Sequence, residues 1–392
     1  MSTSAIKARL LGALFVLVSI PVVHAQVEIP GLDPLEPIDV RQQMQFGYSV
    51  GISGSTALVG APAVDGHGAA YVFTQKGTSW TRTAKLLAPD IASGSFGTSI
   101  AFDGTALIGD AGRHQVYYFT FDGKKWKPRA ILKGGAEFFG YAMAMEGCTA
   151  IITSSYSTNG PAATMPGFVH VFDRCNTSDG NWKFIRSFNA PGTRIEDQFG
   201  ASIALSGTNL LVGAPRANGL KGVVYWFAKE NGNWNLKQKL VQMNPQPNDR
   251  LFGQAVGLQG TLAVIGAPGS RGSFDTQTSG LALAFRLTSN GWTSLGEISP
   301  NDGSLGWSGF GSTVIVTADR AIIGAPDPFS NAYDNGGNVF AYQRAGDSLT
   351  FESHVGGLAF AVSGHNFIGG EYNYRIEPGT NYGIAFAQTL SP

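Results

Sequence analysis

Residues 199–227 read FGASIALSGTNLLVGAPRANGLKGVVYWF, and residues 46–73 read FGYSVGISGSTALVGAPAVDGHGAAYVF. Two near-copies of one sentence in a single chain mark a copied structural unit. The opening pair, phenylalanine then glycine, recurs at Phe46, Phe96, Phe139, Phe199, Phe252 and Phe310, and a degraded seventh copy reads from Val355-Gly356. Successive phenylalanines lie 43 to 60 residues apart, the period of propeller blades and other stacked repeats.

Each copy divides into four pieces. The first, such as FGYSVGIS or FGASIALS, alternates small and apolar residues and reads as a strand. After a tight polar turn comes a near-continuous apolar run, ALVGAP, LLVGAP, AVIGAP or AIIGAP, which suits a strand buried on both faces and stopped by proline. A variable loop leads to glycine at 68, 167, 222, 280, 337 or 383, which opens a third strand. A fourth strand carries an aromatic at Trp80, Trp126, Trp182, Trp234, Trp292 or Phe351. The expectation is an all-β, seven-bladed β-propeller of four-stranded antiparallel blades. The last copy lacks a fourth strand, and an open edge invites aggregation. The segment before Phe46 is therefore expected to close the ring as the outer strand of the last blade.

The Phe-Gly starts and the Gly-Ala-Pro stops at 60–62, 213–215, 266–268 and 324–326 resemble the FG-GAP repeat, the blade unit of the integrin α-subunit head and of many bacterial secreted proteins. The resemblance runs over residues 46 to 390. It implies calcium sites in the loop of the first hairpin. Here those loops read ISGST, AFDGT, MEGCT, LSGTN, LQGTL, TADRA and VSGHN, with Asp103, Glu146 and Asp319 as isolated acids. Calcium takes six to eight oxygens, several of them carboxylate, so the metal sites are not carried over and no cofactor is expected. A cation elsewhere, for example near Asp327 and Asp334, is the alternative.

Residues 1–25 contain Lys7 and Arg9, an apolar run over residues 10–23 and the small residue Ala25, the three regions of a secretory signal. Cleavage after Ala25 would leave one domain, residues 26–392, secreted to the extracellular space, the cell surface or the periplasm. Lys+Arg and Asp+Glu are equal at 27 each, which argues against nucleic acid or an anionic membrane as partner. No later stretch is apolar enough for a membrane span. Cys148 starts the second strand of the third copy and Cys175 ends its third. Antiparallel neighbours bring such positions together, and an oxidising compartment favours a disulfide; two free thiols are the alternative.

Chemistry is sparse. The acids ahead of the Phe-Gly starts, Asp90, Glu196, Asp197, Asp249 and Asp302, recur once per copy and read as turn formers before they read as catalytic pairs. His67, His114, His170, His354 and His365 form no metal-spaced pair, and His170, inside a third strand, reads as a satisfied core residue. No nucleophile elbow, phosphate loop or zinc motif is present. Asn176-Thr177-Ser178 matches a glycosylation acceptor.

Alternating strands put the second loop of every blade and the connections between blades on one face, where the irregular sequences gather. Aromatics outside the repeat pattern fall there: Tyr156, Phe274, Trp307, Phe329, Tyr333, Tyr372 and Tyr374. Beside amides and carboxylates they suit sugars or peptides. The expected function is a non-enzymatic binding or adhesion module that takes a protein or glycan ligand on this face. The alternatives are an extracellular enzyme acting on polysaccharide through the same face or the central channel, and an architectural ring in a surface assembly.

Overall fold

A computed structural model describes residues 33–35, 44–90, 92–155, 166–243, 251–269, 280–298, 309–325, 338–356, 359–363, 366–371 and 384–389. Every sheet among them is antiparallel and four-stranded. Six sheets are each built from four consecutive strands, and these six blades span 50–86, 96–132, 139–188, 202–240, 255–298 and 313–356. One further sheet is a composite: Ala359–Ser363, Asn366–Glu371 and Ile384–Thr389 are joined by Asp33–Leu35, whose Asp33 pairs with Ala387 and Leu35 with Ala385.

The expected count of seven blades is thereby corrected to six. Val355 and Gly356, read as the start of a seventh copy, end the fourth strand of blade 6 instead, paired with Val339 and Asn338. The composite sheet begins only at Ala359 and takes its fourth strand from the other end of the chain. The sheets are arranged as a propeller. The first strand of each blade lies against the first strand of the next, and the composite sheet stands between blade 6 and blade 1.

The copied residues explain the seams. Each opening phenylalanine is fully buried and meets the third strand of its own blade edge-on: Phe46 on Tyr71 at 5.5 Å, Phe96 on Tyr117 at 5.3 Å, Phe139 on His170 at 5.1 Å, Phe199 on Tyr225 at 5.4 Å and Phe310 on Phe340 at 5.3 Å. Each such ring contributes roughly 1.5–3 kcal/mol of burial. The glycine after it offers its carbonyl to the preceding blade. Ser49 Oγ donates to Gly97 O at 2.7 Å, Ser99 Oγ to Gly140 O at 2.6 Å and Ser202 Oγ to Gly253 O at 2.7 Å. Blade 3 has Ala142 where those serines stand, and there Thr153 Oγ1, from the second strand, makes the bond to Gly200 O at 2.8 Å. A Cβ on Gly60, Gly213 or Gly266 would strike the carbonyl of Gly97, Gly253 or Gly311 in the next blade. The Gly of Gly-Ala-Pro and the Gly of Phe-Gly are thus two halves of one close approach.

Two features had no sequence signal. The register shifts between third and fourth strands at the same step of all six blades, at Phe73, Phe119, Phe172, Phe227, Phe285 and Tyr342, a bulge that sharpens the local twist. On the face of the first turns, neighbouring blades are stitched by side chains. Arg174 reaches Asp103 Oδ2 at 2.7 Å and Thr105 Oγ1 at 2.8 Å, the Gly207 amide donates to Glu146 at 2.6 Å, and Arg286 pairs with Asp347 at 3.0 Å. Asp319 pairs with Arg320, so all three isolated acids of the first turns are engaged. Cys148 and Cys175 form a disulfide with Cα atoms 5.3 Å apart. Among the described residues no helix is long and apolar enough to cross a membrane.

Candidate binding face

Blade 2 departs from the repeat where its second loop begins. Gly-Ala-Pro becomes Gly109-Asp110-Ala111, and His114, at φ 54°, takes the position of the glycine that opens other third strands. The imidazole Nδ1 of His114 accepts the Phe138 amide at 2.9 Å. Asp110 is fully buried; one oxygen accepts the Ser95 amide at 2.7 Å, the other has no partner, and burial pushes its carboxyl up. Above it Arg113 donates to Asp90 Oδ1 at 2.7 Å and to the Tyr117 hydroxyl at 2.6 Å, and Tyr117 donates to Asp90 at 3.0 Å. The Arg113 bond holds Asp90 down at about 2. Asp90 is therefore one carboxylate seated between a guanidinium and a phenol.

Blade 3 holds the arrangement most like a nucleophile and its base. His170 Nε2 lies 3.0 Å from Ser154 Oγ and His170 Nδ1 lies 2.7 Å from Ser187 Oγ. Ser154 and His170 are 3% and 1% exposed, so both are closed off from solvent, and among the described residues no carboxylate bonds the ring. Burial lowers the imidazole to about 4 and keeps it neutral. His170 packs on Phe139 in the place that tyrosine fills in blades 1, 2 and 4, which is a core role.

Blade 4 is open where blade 2 is filled. A depression of about 350 Å³ is lined by Arg194 and Asp197 from the connection entering the blade, Asn218 from its second loop, Tyr225 from its third strand and Lys239 from its fourth. The loop is held by three consecutive residues in the left-handed region, Asn218 at φ 55°, Gly219 at 66° and Leu220 at 72°. For leucine that conformation is strained, and such strain gathers at ligand clamps. The Leu220 amide donates to Arg216 O at 3.1 Å, and Leu220 O accepts the Leu251 amide at 2.8 Å, which fixes it. Lys239 Nζ stands 5.3 Å from the centre of the Tyr225 ring. Burial first, and the charge of Asp197 second, push the Tyr225 phenol up, so it stays a donor. One oxygen of Asp197, Oδ2, accepts the Arg194 amide at 2.8 Å.

None of Arg194, Asn218 or Lys239 was singled out by the sequence; they come from three segments and converge only in the fold. The seven aromatics that were singled out, Tyr156, Phe274, Trp307, Phe329, Tyr333, Tyr372 and Tyr374, lie outside the described residues, as do Asp249, Asp302, Asp327, Asp334 and residues 1–25. Among the described residues no group of three His, Cys, Asp or Glu side chains is placed to hold a metal ion.

Fold and seams define a β-propeller assembled from Phe-Gly to Gly-Ala-Pro units. The family model of the FG-GAP repeat matches residues 34–73 and 182–227. No curated protein sequence matches the chain. Solved structures share its fold at low identity. A chain of the mitotic checkpoint complex is 12% identical with a TM-score of 0.58, over 98% of this chain and 100% of that one. Hydrazine synthase of Kuenenia stuttgartiensis is 12% identical with a TM-score of 0.58, over 87% and 96%. A protein from Lactobacillus plantarum is 11% identical with a TM-score of 0.52, over 79% and 84%.

Proposed function

We propose that the chain is a secreted, non-enzymatic binding or adhesion module, similar in architecture to the integrin α-subunit head, that is exported by its first 25 residues and takes a protein or glycan ligand on the face of second loops and blade connections. The observation that carries this reading is the contrast between seams and loops. Glycine, serine and phenylalanine repeat the same contacts from blade to blade, while the connections differ in length and chemistry from one blade to the next. A rigid scaffold with variable loops is how binding sites are commonly built. The test is an array of glycans and matrix proteins probed with the secreted chain. Saturable binding without turnover, weakened by alanine at Trp307, Tyr333 and Tyr372, supports it; product release from a bound glycan overturns it.

A further inference from the structure

Blades 2 and 4 occupy equivalent ground in two different ways, and the difference points to a ligand. In blade 2 a carboxylate, Asp90, sits between Arg113 and the Tyr117 hydroxyl, accepting from both. In blade 4 the tyrosine is present as Tyr225 and two cations, Arg194 and Lys239, line the same corner. Neither cation forms an ion pair among the described residues. The acid beside them, Asp197, has one oxygen bonded to the backbone of its own turn. Asp197 is the one carboxylate among the lining residues and stands against two cations, so the corner keeps one positive charge in excess.

We propose that the blade-4 pocket binds the carboxylate of an acidic sugar, the uronic acid unit of an anionic glycan, between Arg194, Lys239 and the Tyr225 hydroxyl. The inference rests on the glycan arm of the reading above and names its subsite. The lining decides for a sugar acid over a peptide side chain. Guanidinium, ammonium, amide, phenol and the single carboxylate of Asp197 line most of the pocket, and Ala217 and Val223 are its only aliphatic side chains. About 350 Å³ lies at the small end of ligand pockets, room for one sugar unit. Asn218, on the strained loop, faces the same space and supplies a donor and an acceptor for ring hydroxyls.

The full chain is titrated calorimetrically with glucuronic acid, with glucose, and with acetate at matched ionic strength. Glucuronic acid is expected to saturate, with glucose and acetate each at least about tenfold weaker. Arg194→Ala and Lys239→Ala are each expected to weaken glucuronic acid about tenfold, or about 1.4 kcal/mol. Both residues are exposed, so melting curves should stay unchanged, and Lys183→Ala on the outer strand of blade 3 should bind as wild type. Equal binding of glucose and glucuronic acid, no saturation, or wild-type affinity in both variants overturns the proposal. Array binding that survives Arg194→Ala with Lys239→Ala overturns this subsite alone. Saturable glucuronic acid binding beside product release on the array overturns the non-enzymatic reading alone.

Discussion

Gly213 is the sharpest place to test the account of the seams. It stands in the second strand of blade 4, Asn209–Ala214, at an ordinary φ that alanine adopts freely. An added Cβ would stand 2.1 Å from Gly253 O, a backbone atom of the next blade, and 2.3 Å from Ser202 Oγ. Relief requires blades 4 and 5 to part, which breaks the 2.7 Å bond from Ser202 to Gly253. Overpacking costs about 1–3 kcal/mol and the lost hydrogen bond about 1 kcal/mol, so Gly213→Ala should cost about 2–4 kcal/mol. Gly266→Ala, with its Cβ 1.8 Å from Gly311 O, should cost at least as much. Gly109→Ala should cost less, because its nearest neighbour is the movable Ser99 Oγ and the facing carbonyl lies 3.0 Å away. Gly207→Ala is the contrast: φ is 57° and nothing lies within 4 Å, so only the left-handed backbone is strained, at about 1–2 kcal/mol. Denaturant midpoints with unchanged slopes read the four values. A Gly213→Ala protein no less stable than Gly207→Ala would refute the close-approach reasoning.

Removing residues 26–44 takes away Asp33–Leu35 with buried Leu35 and Met44, at about 3–6 kcal/mol for the two side chains; calorimetry should show a large fall in unfolding temperature, and an unchanged trace would count against ring closure by this strand. Reducing the disulfide, whose cysteines are 27 residues apart, should cost about 3–4 kcal/mol on loop entropy, and native protein should yield no titratable thiol before reduction. His170 is near 4 in the fold against 6.5 unfolded. The unfolded state therefore binds the extra proton between those values, and stability should fall by up to about 3 kcal/mol as pH drops from 6.5 to 4. His170→Gln should flatten that part of the stability-against-pH curve, while an unaltered slope would exclude the imidazole as its source.

The strand plan was legible because its signals are local: phenylalanine and glycine at one step, Gly-Ala-Pro at another, tryptophan on the outer strand. The copy count failed at Val355-Gly356 because a short apolar pair reads alike at the start of one strand and the end of another; only its pairing with Val339 and Asn338 separates them. The cysteine pair was readable since adjacent strands fix the distance between one start and one end. Thr153 standing in for a missing serine was not, because the two residues share a carbonyl partner and no stretch of sequence. The blade-4 pocket was hidden for the same reason. Arg194, Asn218 and Lys239 look like solvated polar residues until a turn, a loop and a strand bring them round one tyrosine.

The composite sheet puts a timetable on biogenesis. Asp33 emerges early in translation and its partner Ala387 late, an interval of tens of seconds at about 5–20 residues per second. Until Ile384–Thr389 is made, Asp33–Leu35 has no strand to pair with and stays open to any other strand that passes. The segment has to be held for Ile384–Thr389, because among the described residues no other strand pairs with it.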